Sequence, residues 1–285
     1  MSELLPFLVS GLGVGAVYAL SGVGLVVLYR SSGVLNFAFG ALGAIAAYVA
    51  WSALDREWPL VLAALAAVST AVAISFAYGR LLAPRLAESD PTVRSIGTLG
   101  LALVLLGFTE WFWGEQPRRL VLPTDSQAIE LAEVRLTYTR VVGLALAVSM
   151  MAAVGLLLAR TRIGLAMRAL ADQRGLSAIL GIRVLQVDTA AWVISGAFAG
   201  VCGLLLANIV RLQATVLTFL VIPAFAAAII GRLSSLPATV AAGLAIGILE
   251  AVAVLLPGFS PFRAATPFLI ALAAIVLWRD ASRKA

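Results

Sequence analysis

The chain has 285 residues, 62% of them hydrophobic and only 12% charged, with a mean hydropathy of +1.06. A soluble domain carries about a quarter charged residues, so this is the composition of a multi-pass membrane protein. The formal charge of +6 does not imply nucleic acid, because the basic residues stand at the ends of apolar runs, where membrane topology explains them. There is no histidine and one cysteine, Cys202, which lies in an apolar run and reads as a small packing residue. An intrachain disulfide, a Cys/His zinc site and histidine-based acid or base catalysis are thereby excluded.

A crossing needs about 20 apolar residues. The runs at 5–29, 35–53, 59–82, 95–113, 139–159, 189–210, 214–231, 237–256 and 265–279 predict nine spans, within an all-α transmembrane bundle of eight to ten. The first run has no cationic flank before it and reads as a retained helix, not a cleaved signal. Arg30, Arg80, Arg85, Arg94, the five arginines between 160 and 183, Arg232, Arg279, Arg283 and Lys284 fall on one side of such a bundle, 13 basic residues against 7 on the other. The positive-inside rule then predicts the N-terminus outside and the C-terminus in the cytoplasm.

The first span is rich in glycine, at Gly11, Gly13, Gly15, Gly22 and Gly24. In lipid a small-residue face lets another backbone approach closely, so this helix is expected at the centre of the bundle. Gly196-x-x-x-Gly200 and Gly243-x-x-x-Gly247 predict similar seams. Asn36 follows Ser31, Ser32 and Gly33 at a short inner turn. An amide at that depth either caps the next helix or lines a wet path, and a helix broken there would permit both. Phe37 beside it shares the assignment to the path.

Glu110 stands before Trp111, Phe112 and Trp113, an aromatic belt suited to the outer interface. Residues 114–138 form the longest outer segment, either a docking surface for a soluble partner or a solvated loop. In the seventh run Pro223 removes a backbone donor and should break the helix near Val221. Residues 231–237 read as a tight inner turn. Glu250 lies deeper in its run than Glu110, and a carboxyl there has either a path role or a hydrogen-bonded structural one.

Residues 160–187 carry Arg160, Arg162, Arg168, Arg174 and Arg183 but a single acid, Asp172. Ile163, Ala166, Met167 and Leu170 make an apolar stripe at helical spacing, with Arg168 and Asp172 on another face. Gly175 is expected to interrupt this helix, and Leu176, Ile179 and Leu180 to start a second that ends at Gly181. Two helices this short need something to dock on.

The stretches Arg162-Ile163-Gly164, Met167-Arg168-Ala169, Ala171-Asp172 and Ala178-Ile179-Leu180-Gly181-Ile182 resemble the cytoplasmic coupling loop of ABC importer permeases of the branched-chain amino acid type. Residues 13–43 resemble that family's amino-terminal signature, with Asn36-Phe37-Ala38 in the turn between two helices, and residues 224–247 its late helix-turn-helix. The likeness spans nearly the whole chain, as one permease domain over 1–285 with the coupling loop at 160–187, and is to the smaller permease subunit. Two positions depart from it: Phe39, where a polar residue or histidine is expected, and Arg232, where a second glycine is expected.

The resemblance implies an importer permease of the prokaryotic plasma (inner) membrane, carrying branched-chain amino acids or a related small solute. It also implies two ABC ATPase subunits that bind ATP and Mg, a second homologous permease and an extracytoplasmic solute-binding protein. In that reading Arg162, Ile163, Gly164, Met167, Arg168, Ala171, Asp172 and Gly181 couple to the ATPases, and Asn36, Phe37, Pro223 and Glu250 belong to the path. The chain itself has no G-x-x-x-x-G-K-[ST] loop and its one lysine is Lys284, so no cofactor, catalytic residue or metal is expected in it. An ion-gradient-driven transporter or facilitator is the alternative, but it would place more ionisable groups in its spans.

Overall fold

The computed structural model describes residues 4–122, 128–131, 134–219, 221–253, 255, 265–270 and 272–273. These are helical apart from turns and one hairpin. The helices are α1 (Leu4–Ser32), α2 (Phe39–Asp55), α3 (Leu60–Ala77), α4 (Pro91–Trp113), α5 (Tyr138–Arg160), α6 (Arg162–Asp172), α7 (Arg174–Ile179), α8 (Val184–Ile209), α9 (Ala214–Phe219), α10 (Ile222–Ile230) and α11 (Leu236–Ala253). The hairpin pairs β1 (Ala128–Leu131) with β2 (Val134–Thr137), antiparallel, within the polar segment 114–138, for which no strand was expected.

Among the described residues six stretches are long and apolar enough to cross a membrane: Pro6–Ser32, Leu60–Leu86, Pro91–Trp113, Val141–Arg160, Val184–Ile209 and Leu236–Ala253. Two of the nine expected crossings are shorter. The second begins at Phe39 instead of residue 35, and its 17 residues rise about 26 Å. The seventh is divided into α9 and α10. Of the ninth, expected at 265–279, only 265–270 and 272–273 are described.

Helix α1 is the hub, buried on every side from Gly15 to Leu28. It packs on α11, α8, α10, α5 and α6. A helix apolar all round belongs in the interior. Helices α3, α4 and α5 instead turn apolar faces outward, including Val61, Leu65, Leu103, Val104 and Leu156. Burying apolar surface does not drive helices together in lipid, so packing has to hold them. Glycine supplies the fit. A Cβ on Gly247 would sit 2.3 Å from Gly15 Cα, one on Gly243 would sit 2.5 Å from Ala19 N, and one on Gly203 would meet the Gly43 carbonyl of α2. Gly196 and Gly200 make the corresponding seam of α8 on α3.

At the end of α10 the chain turns through Arg232 and Leu233, both at positive φ. The expected turn is therefore present at 231–235, but Pro237 lies inside the first turn of α11.

These contacts make the effect of one methyl group depend on its position. Gly247→Ala should destabilise the bundle by about 1–3 kcal/mol through overpacking, whereas Gly13→Ala, with nothing within 4 Å of the new carbon, should be near neutral. Unfolding midpoints in detergent measure both.

Candidate functional site

The first element of the site is the break between α1 and α2. Gly33 ends α1 in the left-handed region, at φ 69°, with its N–H donating to Tyr29 O at 2.7 Å, the helix-ending arrangement that glycine favours. Residues 34–38 then run without helix, and where water is excluded their backbone groups need partners. Side chains provide them. Ser95 Oγ accepts from Leu35 N (3.2 Å), Thr98 Oγ1 accepts from Phe37 N (2.9 Å), and the Thr98 hydroxyl donates to Leu35 O (2.9 Å). Both hydroxyls come from α4, three residues apart on one face.

Asn36, 1% exposed, works from inside the segment. Its Oδ1 accepts from Ala38 N at 3.1 Å and its Nδ2 reaches Ser195 Oγ on α8 at 3.5 Å. The cap position itself belongs to Ala38, which makes no side-chain cap bond. Asn36 therefore holds the turn two residues earlier than a capping role predicts. Phe37 is 37% exposed and stacks obliquely on Phe225, ring centres 5.1 Å apart.

The second element is the break in the seventh crossing. Helix α9 stops at Phe219 and α10 starts at Ile222, with Pro223 in its first turn, where a missing N–H costs nothing. The two breaks meet: a Cβ on Gly40 would lie 2.1 Å from Thr218 O, and Phe37 meets Phe225. Asn36, Phe37 and Pro223 thus share one region. Glu250, 8% exposed, sits in the α1–α11 seam and accepts a hydrogen bond from Tyr18 Oη at 2.9 Å. Tyr18 packs in turn with Ala226 and Ala227 of α10. Near the opposite end from the loop, Glu110 accepts from Thr215 Oγ1 at 3.0 Å.

The third element is the charged loop. Thr161 caps α6, its Oγ1 accepting from Gly164 N at 3.0 Å. Gly164, Met167 and Leu170 form the buried stripe, and the last two pack with Leu28, Val34, Tyr78 and Trp192. Ile163 departs from expectation: it is 49% exposed, because Gly164 and not Ile163 faces the end of α5, where a Cβ would fall 2.4 Å from Leu157 O. Arg162, Arg168, Ala171 and Asp172 are exposed. The break before α7 occurs at Gln173, with Gly175 inside the helix, while Gly181 ends the turn at φ 88°. Ile179 is 84% and Leu180 74% exposed.

Two arginines to which the sequence assigns no site role tie this loop down. Arg174 Nη1 donates to Ser31 O at 2.7 Å and to Asp188 Oδ1 at 3.2 Å, and its Nη2 closes a two-pronged ion pair with Asp188 Oδ2. Arg94 Nη1 donates to Ser32 O at 3.0 Å. Two guanidinium groups thus satisfy the free carbonyls at the end of α1, where the helix dipole also favours cations. The available signal was faint: the loop's first basic residue after the break, and the first acid of the next span.

The model of the family described as branched-chain amino acid transport system, permease component, matches residues 7–277. The chain belongs to this family. It is 28% identical over 258 residues to the high-affinity branched-chain amino acid transport system permease protein BraD of Pseudomonas aeruginosa, covering 86% of this chain and 84% of that protein. To the corresponding permease protein LivH of Escherichia coli strain K12 it is 27% identical over 259 residues, covering 85% and 83%. This permease is accordingly a multi-pass transporter subunit and not an enzyme.

The α4 hydroxyls give the break a measurable dependence. Thr98→Val in the permease leaves Phe37 N and Leu35 O without partners and should cost about 1–3 kcal/mol. Ser195→Ala, which loses a 3.5 Å contact, should cost less than half as much in the same thermal unfolding assay.

Proposed function

We propose that this permease lies in a prokaryotic plasma membrane, N-terminus outside and C-terminus in the cytoplasm, and imports branched-chain amino acids or a related small solute. It works with two ATPase subunits that bind ATP and Mg, a second homologous permease, and an external solute-binding protein that docks on residues 114–138. The cargo follows from the family and from relatives named for branched-chain amino acid transport. The observation that carries the mechanism is the ion pair by which the loop grips α1 and α8.

The exposed side chains of the loop, Arg162, Ile163, Arg168, Ala171 and Asp172 with Ile179 and Leu180, are the surface offered to an ATPase subunit. Gly164 and Met167 seat α6 against the bundle, and Gly181 ends the second helix. Closure of the ATPases on ATP pushes α6 and α7 as a unit. Arg174 passes that displacement to the end of α1 and to Asp188, hence to α8. From α8 it reaches the α1–α2 break through Ser195 and Asn36. This is a rigid-body change delivered to a segment held by exchangeable hydrogen bonds. The path runs along the face where Asn36, Phe37 and Pro223 meet and is completed by the second permease. Glu250 acts beside it by fixing α11 on α1.

The test is reconstitution of the permease with the subunits that copurify with it. The wild-type assembly should contain two ATPases and a second permease and take up solute only with ATP; ATP-independent uptake by the permease alone would overturn the reading. Within a working assembly, Arg174→Ala should reduce uptake per ATP hydrolysed by roughly 5–150-fold, the usual span of a coupling energy. Unchanged stoichiometry would remove Arg174 from the transmission.

A further inference from the structure

Outside the site just described, an open groove of about 630 Å³ is bounded by α3 and its continuation, α5, α6 and α8. It has a direction. On α3 the apolar Phe76 comes first and Arg80 one turn later, toward the loop end. On α5 Leu157 lines the groove and the helix ends one turn on at Arg160. Helix α8 runs the opposite way and repeats the order: Gln186 and Thr189 near the loop, then Val193 and Ile194, about 6–12 Å deeper at 1.5 Å per residue. Three helices therefore grade the groove from cationic and polar at the membrane edge to apolar within.

No residue lining the groove is acidic, so Arg80 gives it a single sign of charge. Arg80 is exposed, and it is set there by a local change of helix. From Tyr78 to Leu82 the backbone winds as a single π turn, Gly79 lies under the Trp192 ring where a Cβ would be 2.6 Å from its carbons, and Arg80 is left facing out. Such one-turn widenings often accompany functional positions.

We propose that this groove holds one anionic phospholipid, its headgroup phosphate against Arg80 and an acyl chain along Phe76, Leu157, Val193 and Ile194. A soluble anion would use the arginine but leave the apolar wall uncovered. A neutral lipid would cover the wall but forgo the charge. A basic pocket between spans with an apolar floor matches an acidic lipid on both counts. Ile163 forms the lip of the groove, so the lipid also touches α6 and braces it against α3 and α8.

The experiment is native mass spectrometry of the full-length permease, delipidated in mild detergent and then exposed to phosphatidylethanolamine, to phosphatidylglycerol, or to inorganic phosphate with phosphatidylglycerol. The wild type should retain one phosphatidylglycerol in preference to phosphatidylethanolamine, and millimolar phosphate should not displace it. Arg80→Glu should lower its occupancy about fivefold or more, as expected for a basic residue at a charged lipid surface. Val193→Trp should lower it by filling the groove, and Arg56→Glu should leave it unchanged. Equal retention of the two lipids, displacement by phosphate, or full occupancy in both groove variants would overturn the proposal. So would a cross-link from position 76 to an ATPase subunit in the assembled complex, which would give the groove to a protein. None of these outcomes depends on which solute is carried.

Discussion

A bilayer offers no water to an unpaired peptide group, and this constraint organises the bundle. Six long helices can meet it among the described residues, yet the chain leaves helical geometry at 33–38 and again between α9 and α10. The first break survives because Ser95 and Thr98, three residues apart on α4, and Asn36 from within act as substitute backbone. At the second, Pro223 stands in the first turn of the new helix, where its absent N–H removes one of the groups that would need a partner. The hydroxyl bonds of Ser95 and Thr98 tie α4 to the end of α1, each over only about 3 Å.

The same reasoning explains the arginines at the loop end. The last carbonyls of α1 have no intrahelical partner, and Ser31 and Ser32 cannot supply one because their hydroxyls already donate backward to Val27 and Leu28. Arg174 and Arg94 fill the gap from α7 and α4. Asp188 then balances Arg174 and orients its planar fork, a pairing that lysine could not reproduce in two-pronged form. What satisfies a helix end thereby also joins the loop to the hub of the bundle.

Much of this was legible in the amino acids, and the limits have physical causes. The all-helical bundle, the central glycine-rich helix, the proline break and the two loop helices follow from run length, small-residue spacing and breaker residues. Ile163 was misassigned because a 3.6-residue stripe identifies a face only to within one position, and the contact with Leu157 O admits only glycine there. Asn36 reads in the sequence as a buried amide that needs partners, but besides Ala38 N its partner is Ser195 on α8, 159 positions away along the chain. The Arg174–Asp188 pair stayed hidden for the related reason that a 14-residue separation across a turn carries no periodic signal. Short-range pattern locates elements, whereas side-chain bonds between elements depend on an arrangement the pattern does not contain.

The distribution of the two kinds of contact bears on where such a bundle can move. In the α1–α11 seam, Gly15 and Gly247 bring backbones together so closely that neither helix can slide without lifting a full ridge over the other, and Tyr18 and Glu250 add a hydrogen bond across the same seam. Helices α1 and α11 therefore behave as one body. At the α1–α2 break the restraints are instead hydroxyl and amide bonds to a non-helical segment, each worth only about 0.5–1.5 kcal/mol net. A displacement entering through Arg174 meets a stiff seam on one side and a compliant break on the other. In the coupling proposed above it would be taken up at the break, beside Phe37 and Phe225, because the seam offers no comparable freedom.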